Sequence, residues 1–232
     1  MFKALSRALT SRSGPILTGI AVGILAPLLT FWGNPGNMGI CVACFTRDIA
    51  GALGLHRAAT VQYIRPELAG FILGSFISSL IYREYKPRTG SSPIIRFFLG
   101  FFAMIGALVF LGCPWRAYIR LSAGDLNAIP GIIGLTVGIV IGIAFLWHGF
   151  SLGRNYPAKK GLGYMMPIVA VTLIVFVLIR PSFGPEGASA IFFSKEGPGS
   201  MAAPVALSLA VGLFIGFLAQ RSRFCTVGAL RD

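Results

Sequence analysis

Gly36-Asn37-Met38-Gly39-Ile40-Cys41-Val42-Ala43-Cys44-Phe45-Thr46-Arg47-Asp48 places two thiols, a guanidinium and a carboxylate within eight residues, just after an apolar run. The same shape returns in Arg223-Phe224-Cys225-Thr226-Val227-Gly228-Ala229-Leu230-Arg231-Asp232. Each copy reads cysteine, five residues, then Arg-Asp: Cys41 with Arg47 and Asp48, Cys225 with Arg231 and Asp232. A third cysteine ends another apolar run, in Gly112-Cys113-Pro114-Trp115-Arg116. Thiol-bearing polar breaks in an apolar chain predict an all-α polytopic membrane protein whose function lies at the breaks.

Working outward, 55% of the 232 residues are hydrophobic, 12% are charged, and the mean hydropathy is +0.79. A soluble domain of this length cannot hide that much apolar surface, so the expected solvent is a bilayer. Six apolar runs, at 15–33, 66–82, 94–112, 129–149, 163–179 and 202–219, each approach the ~20 residues of a spanning helix. The first is longer than the apolar part of a signal peptide and lacks a small-residue cleavage site after it. The net charge of +13 would suit nucleic acid, but in a membrane protein cations gather in cytoplasmic loops. With the N-terminus inside, 13 of the 20 basic residues fall on that side, which sets the expected orientation.

The segment 38–55 is too short and polar to span, and too apolar and glycine-dotted for an ordinary loop. It is expected to dip into the membrane and leave on the same side, the alternative being an amphipathic surface helix. Pro27 predicts a kink in the first span, and Pro114 a break beside Cys113. Small-residue stripes (Gly70, Gly74 and Ser78; Gly100 and Gly106; Gly131, Gly134, Gly138 and Gly142) read as helix-packing surfaces. The fifth run is featureless and expected to face lipid; 181–200, with Glu186 and Glu196, reads as an exposed linker. His148 reads as an interfacial residue. The second motif ends the sequence, so the chain reads as a fragment with a first repeat over 15–125 and an incomplete second over 129–232.

Repeated motifs in two halves, entering from opposite faces, point to a transport site between inverted repeats. A neutral thiol is a weak donor that tolerates burial, so a line of thiols could pass a soft sulfur or selenium anion without holding it. Arg47 with Asp48 and Arg231 with Asp232 are costly at membrane depth unless paired, and structural pairing is the expected role, with anion attraction as the alternative. The sequence shows no nucleotide cradle, no Ser-His-Asp set and no His/Glu metal cluster; no cofactor, metal or catalytic set is expected. Cys41-x-x-Cys44 leaves a second reading open, a membrane thiol–disulfide oxidoreductase with Cys113 and Cys225 as relay.

The motifs and the surrounding text of 36–66, GNPGNMGICVACFTRDIAGALGLHRAATVQYIRP, resemble the YeeE/YedE family of bacterial inner-membrane sulfur-compound transporters. They look most like its YedE branch, to which selenium transport is ascribed. The likeness is densest at 36–66, 112–125 and 221–232. It implies import of thiosulfate or a related sulfur or selenium species through an hourglass of inverted repeats. It also implies a central path lined by Cys41, Cys113 and Cys225; from the residues themselves, Cys44, Arg47, Asp48, Arg116, Arg231 and Asp232 are expected in support. The implied partners are the small anion, the bilayer and a soluble cytoplasmic sulfur- or selenium-handling protein, with no nucleic acid. Cys44 departs from the pattern, standing where the C-terminal copy has Gly228, and a disulfide with Cys41 is one consequence to test.

Overall fold

The computed structural model describes residues 8–36, 38–90, 92–110, 112–180 and 191–231, with the backbone alone for 229–231. Asn37, Glu186 and Asp232 lie outside the described residues. In chain order the helices are α1 (Gly14–Phe31), α2 (Val42–Ala52), α3 (Pro66–Ile81), α4 (Pro93–Val109), α5 (Pro114–Ser122), α6 (Ala128–Trp147), α7 (Lys160–Gly163), α8 (Met165–Ile179), α9 (Val205–Ser222) and α10 (Thr226–Arg231). A two-residue antiparallel pair, β1 (Arg88–Thr89) with β2 (Tyr156–Pro157), joins two loops.

Among the described residues, five helical stretches are long and apolar enough to cross a membrane: Gly14–Phe31, Pro93–Ser122, Ala128–Trp147, Lys160–Ile179 and Val205–Gly228. The sixth expected span, α3, has 16 residues and a length of about 24 Å, short of the roughly 30 Å hydrocarbon layer. The architecture is that of an all-α multi-pass membrane protein. Helices α4 and α6 make the point most strongly. Phe97, Phe102, Ile133 and Val140 are all more than half exposed, a surface that only lipid or another apolar helix can solvate.

The tightest packing is between α3 and α9. A Cβ on Gly70 or Gly74 would meet α9 backbone, and one on Gly212 or Gly216 would meet α3 backbone at Glu67 and Phe71. Here the expected small-residue contact is realised: glycines let two backbones touch where lipid offers no competing hydrophobic gain. The stripe on α6 behaves differently. A Cβ on Gly131 would meet the Phe110 ring, whereas one on Gly134, Gly138 or Gly142, or on Gly100 or Gly106 of α4, would have no neighbour within 4 Å among the described residues. Helix α8 fits the lipid-facing expectation over most of its surface, with Met166, Ile168, Leu178 and Ile179 well exposed, but Pro167, Ala170, Leu173 and Val177 add a buried stripe that the sequence did not announce. Helix α1 runs through Pro27 without a break.

Polar links sort the helix ends. Thr18 Oγ1 donates to Ser222 Oγ at 2.8 Å, Arg221 Nη1 to Glu84 Oε1 at 2.7 Å, and the Tyr85 hydroxyl to the Lys160 carbonyl at 3.0 Å. The start of α1, the ends of α3 and α9 and the start of α7 therefore share one end of the bundle. At the other end Ala203 N donates to Asn34 Oδ1 at 2.9 Å. Of the expected exposed linker 181–200, residues 181–190 lie outside the described residues, and 191–200 is exposed at Glu196 yet anchored to the fold at several points. Ile191 is buried, Phe192 N donates to the Ala52 carbonyl at 2.9 Å, and Gly199 N donates to the Thr60 carbonyl at 2.8 Å.

Candidate functional site

Each of Cys41, Cys113 and Cys225 immediately precedes a short helix that interrupts or follows an apolar run: α2, α5 and α10. Cys41 is extended (φ −126°, ψ 101°) and its Sγ accepts from Cys44 N at 3.4 Å, which answers one of the open N–H groups of the first turn. Cys225 repeats the geometry, its Sγ accepting from Gly228 N at 3.3 Å. Cys113 is extended (φ −80°, ψ 170°) and is followed by Pro114, whose missing N–H costs nothing at a helix start. Two sequence copies thus share one cap geometry, and the third cysteine takes the same station on α5.

The structure brings together Cys41, Cys44 and Cys113. Met38, Cys41 and Cys44 form a buried cluster against which Cys113 packs. Arg116 Nη1 lies 3.3 Å from Cys44 Sγ, which sets one guanidinium against one member of the three-thiol group. Gly112, at φ 153°, is needed here, since a Cβ would strike the aliphatic stem of Arg116. All four cysteines are free thiols, Cys41 and Cys44 included. The α2 segment is no surface helix: Cys44, Phe45, Asp48 and Ile49 are buried.

Cys225 does not join this group. It is exposed in a cleft of about 1090 Å³ between α4, α6 and α10, with Leu99, Gly138, Gly142 and Phe150 among its walls. A neighbouring cleft of about 510 Å³ shares Ala103, Gly134, Leu135 and Val227 with it and reaches Gly112 and Pro114, which flank Cys113. The expected three-cysteine line is therefore two thiols plus Cys44 in one cluster, with Cys225 at an adjoining cleft.

Asp48 is wholly buried and holds two cations. Its Oδ1 accepts from Arg47 Nη2 at 2.7 Å, and its Oδ2 accepts from Arg65 Nε at 2.9 Å. Arg65 is also wholly buried, donating to the Pro198 and Met201 carbonyls at 2.7 and 2.9 Å, with its cation over the rings of Phe45 and Tyr63. This ties α2 to the segment before α9. The expected Arg47–Asp48 pair is present, but the main partner is Arg65, which lies outside the cysteine motif. Asn34 and Glu67 were missed as well. Asn34 Nδ2 donates to Glu67 Oε1 at 2.8 Å and Ser208 Oγ donates to the same oxygen at 2.9 Å. The available signal was their polarity: Asn34 follows one apolar run and Arg65-Pro66-Glu67 opens another. Arg231 is described in its backbone only, so its pairing with Asp232 is outside the described residues. Among the described residues no group of three or more His, Cys, Asp or Glu side chains is placed to hold a metal ion.

No family model matches the chain. The uncharacterized protein MJ1590 of Methanocaldococcus jannaschii is 30% identical over 97 residues, which take in 37% of this chain and 92% of the relative. The chain belongs to the family of that archaeal protein. Family membership here means a shared unit well under half the length of this chain. No solved structure matches.

Proposed function

We propose that the protein is a permease that carries a small sulfur- or selenium-containing anion across a bacterial inner membrane, along a path lined by cysteine thiols. The observation that carries this reading is the placement of Cys41, Cys113 and Cys225 at the starts of three short helices that break apolar runs, with Cys41, Cys44 and Cys113 converging beside Arg116. Broken helices at membrane depth persist only where protein or a water-filled cavity satisfies their backbone, which is where transporter sites are built. Thiols offer weak, polarisable contacts, and one guanidinium offers positive potential without a deep trap, a combination suited to passage. The resemblance of the motif text to the YeeE/YedE family supports the cargo class. A soluble cytoplasmic sulfur- or selenium-handling protein is the natural receiver.

The test is uptake of labelled thiosulfate and selenite by cells stripped of their own importers. Wild type, Cys41→Ser, Cys44→Ser and Cys113→Ala would be compared at matched membrane abundance. The expected result is uptake by wild type that is lost in Cys41→Ser and Cys113→Ala. Undiminished uptake in Cys113→Ala would remove that thiol from the path. One observation favours an oxidoreductase instead: Arg116 puts a cation on Cys44, whose partner thiol Cys41 is three residues away. No uptake of either compound, with Cys41 and Cys44 cycling between thiol and disulfide in cells, would move the assignment there.

A further inference from the structure

We propose that the loops 82–90 and 148–164 fold into one basic ledge that binds the headgroups of anionic phospholipids. The inference is independent of the transport reading. In sequence these are two separate loops. In the structure Arg88 pairs with Pro157 and Thr89 with Tyr156, Ala158 N donates to the Pro87 carbonyl at 3.0 Å, and the Tyr85 hydroxyl donates to the Lys160 carbonyl at 3.0 Å. A cluster of Phe76, Tyr85 and Tyr164, with ring centroids 5.5–5.7 Å apart, fixes the two loops over the ends of α3 and α8. Lys86, Arg88, Arg154, Lys159 and Lys160 are all exposed on the joined loops.

The charge is one-sided. The two loops contain a single carboxylate, Glu84, and its Oε1 is taken by Arg221 from α9. A topology signal needs cations in the loops but does not need the loops paired. Pairing them draws like charges together, which repels unless a polyanion supplies the opposite charge. The ledge sits at the ends of apolar helices, where headgroups lie, and aromatic residues of the interfacial type accompany it, Tyr156 and Trp147 being well exposed. Polybasic segments beside spanning helices are attracted to anionic leaflets in this way.

The experiment uses the full chain in nanodiscs of phosphatidylcholine alone and of phosphatidylcholine with roughly one third phosphatidylglycerol, an anionic lipid. Thermal unfolding would be read for wild type, for a K86Q/R88Q/K159Q/K160Q variant, and for Arg57→Gln, an exposed cation at the far end of the bundle. The expected result is a midpoint rise of roughly 10 °C with phosphatidylglycerol in wild type and Arg57→Gln. That rise should vanish in high salt and be lost in the fourfold variant. An equal rise in the fourfold variant overturns the proposal. So does an equal rise in phosphatidylcholine discs given soluble tripolyphosphate, which would make the ligand a free anion. No lipid response in wild type also overturns it and leaves the ledge to an acidic protein surface. Should the fourfold variant fail to fold, the wild-type lipid and salt comparison decides alone.

Discussion

Asp48→Asn keeps the shape of the side chain at the centre of α2 and removes its charge. In the native chain Asp48 and Arg65 are both fully buried, and Arg65 reaches two backbone carbonyls as well as the carboxylate. Neutralising Asp48 leaves the Arg65 guanidinium buried without a counter-charge, and breaking a buried pair in this manner costs about 3–5 kcal/mol. For a chain of this size that is a fall of roughly 10–15 °C in thermal midpoint. Arg47 is one quarter exposed, so water screens its share of the pair and Arg47→Ala should cost about 1 kcal/mol or less. The assay is thermal unfolding of each variant in one detergent, read by monodispersity after heating, alongside Arg65→Met and the Asp48→Asn/Arg65→Met double variant. The double variant should be less destabilised than the two singles together, because it removes the stranded charge. Equal losses for Asp48→Asn and Arg47→Ala, or full additivity, would refute the assignment of Arg65 as the principal partner.

Two further outcomes follow from the packing and the loops. Gly74→Val should sharply reduce folded protein, since any Cβ there meets the Leu213 backbone, whereas Gly138→Val on the open face of α6 should leave the thermal midpoint within a few degrees. Asp125, in the turn between α5 and α6, accepts from Arg120 Nε at 2.7 Å, and this bond first and the Asn127 N–H after it hold its carboxyl below the ordinary 3.8. Because the folded pKa is depressed, its contribution is present above the unfolded value and lost as pH falls through the folded one. An acid titration of the thermal midpoint should therefore be shallower below pH 3.8 in Asp125→Asn than in wild type, and identical slopes would remove the bond from the account.

The helices were legible because hydropathy reports them directly: every expected run carries a helix, and the breaks at Cys41, Cys113 and Cys225 fall where turn residues and proline placed them. The expected run at 66–82 overshoots α3 by a single residue, Tyr82, beyond which the chain turns at Arg83 with φ 56°. The buried stripe of α8 was hidden because a helix that is apolar all round carries no moment to tell its packed face from its lipid face. The Gly70/Gly74 contact was readable but the open face of α6 was not, because spacing shows that a surface is small and never whether anything lies on it. Within the site, Cys41 and Asp48 announced themselves by polarity, yet the pairing of Asp48 with Arg65 spans a loop and required the fold. The separation of Cys225 from Cys41 and Cys113 was invisible for the same reason.

The cap positions themselves allow structure and function to be pulled apart. In water helix N-caps favour Asn, Asp, Ser and Thr, whose oxygens are good acceptors, and poor caps cost about 1 kcal/mol each. Here α2 and α10 are capped by sulfur, a weak acceptor, at 3.4 and 3.3 Å. If these cysteines served only the helices, serine would serve them as well or better. Cys41→Ser and Cys225→Ser should then retain or slightly raise the thermal midpoint, by up to about 1 kcal/mol of stability. If the thiols line a path for a soft anion, the same two variants should lose most of their uptake while staying folded, since a hydroxyl is hard and strongly hydrated. Loss of folding in step with loss of uptake would make the thiols packing groups, and would take from the permease reading its central argument.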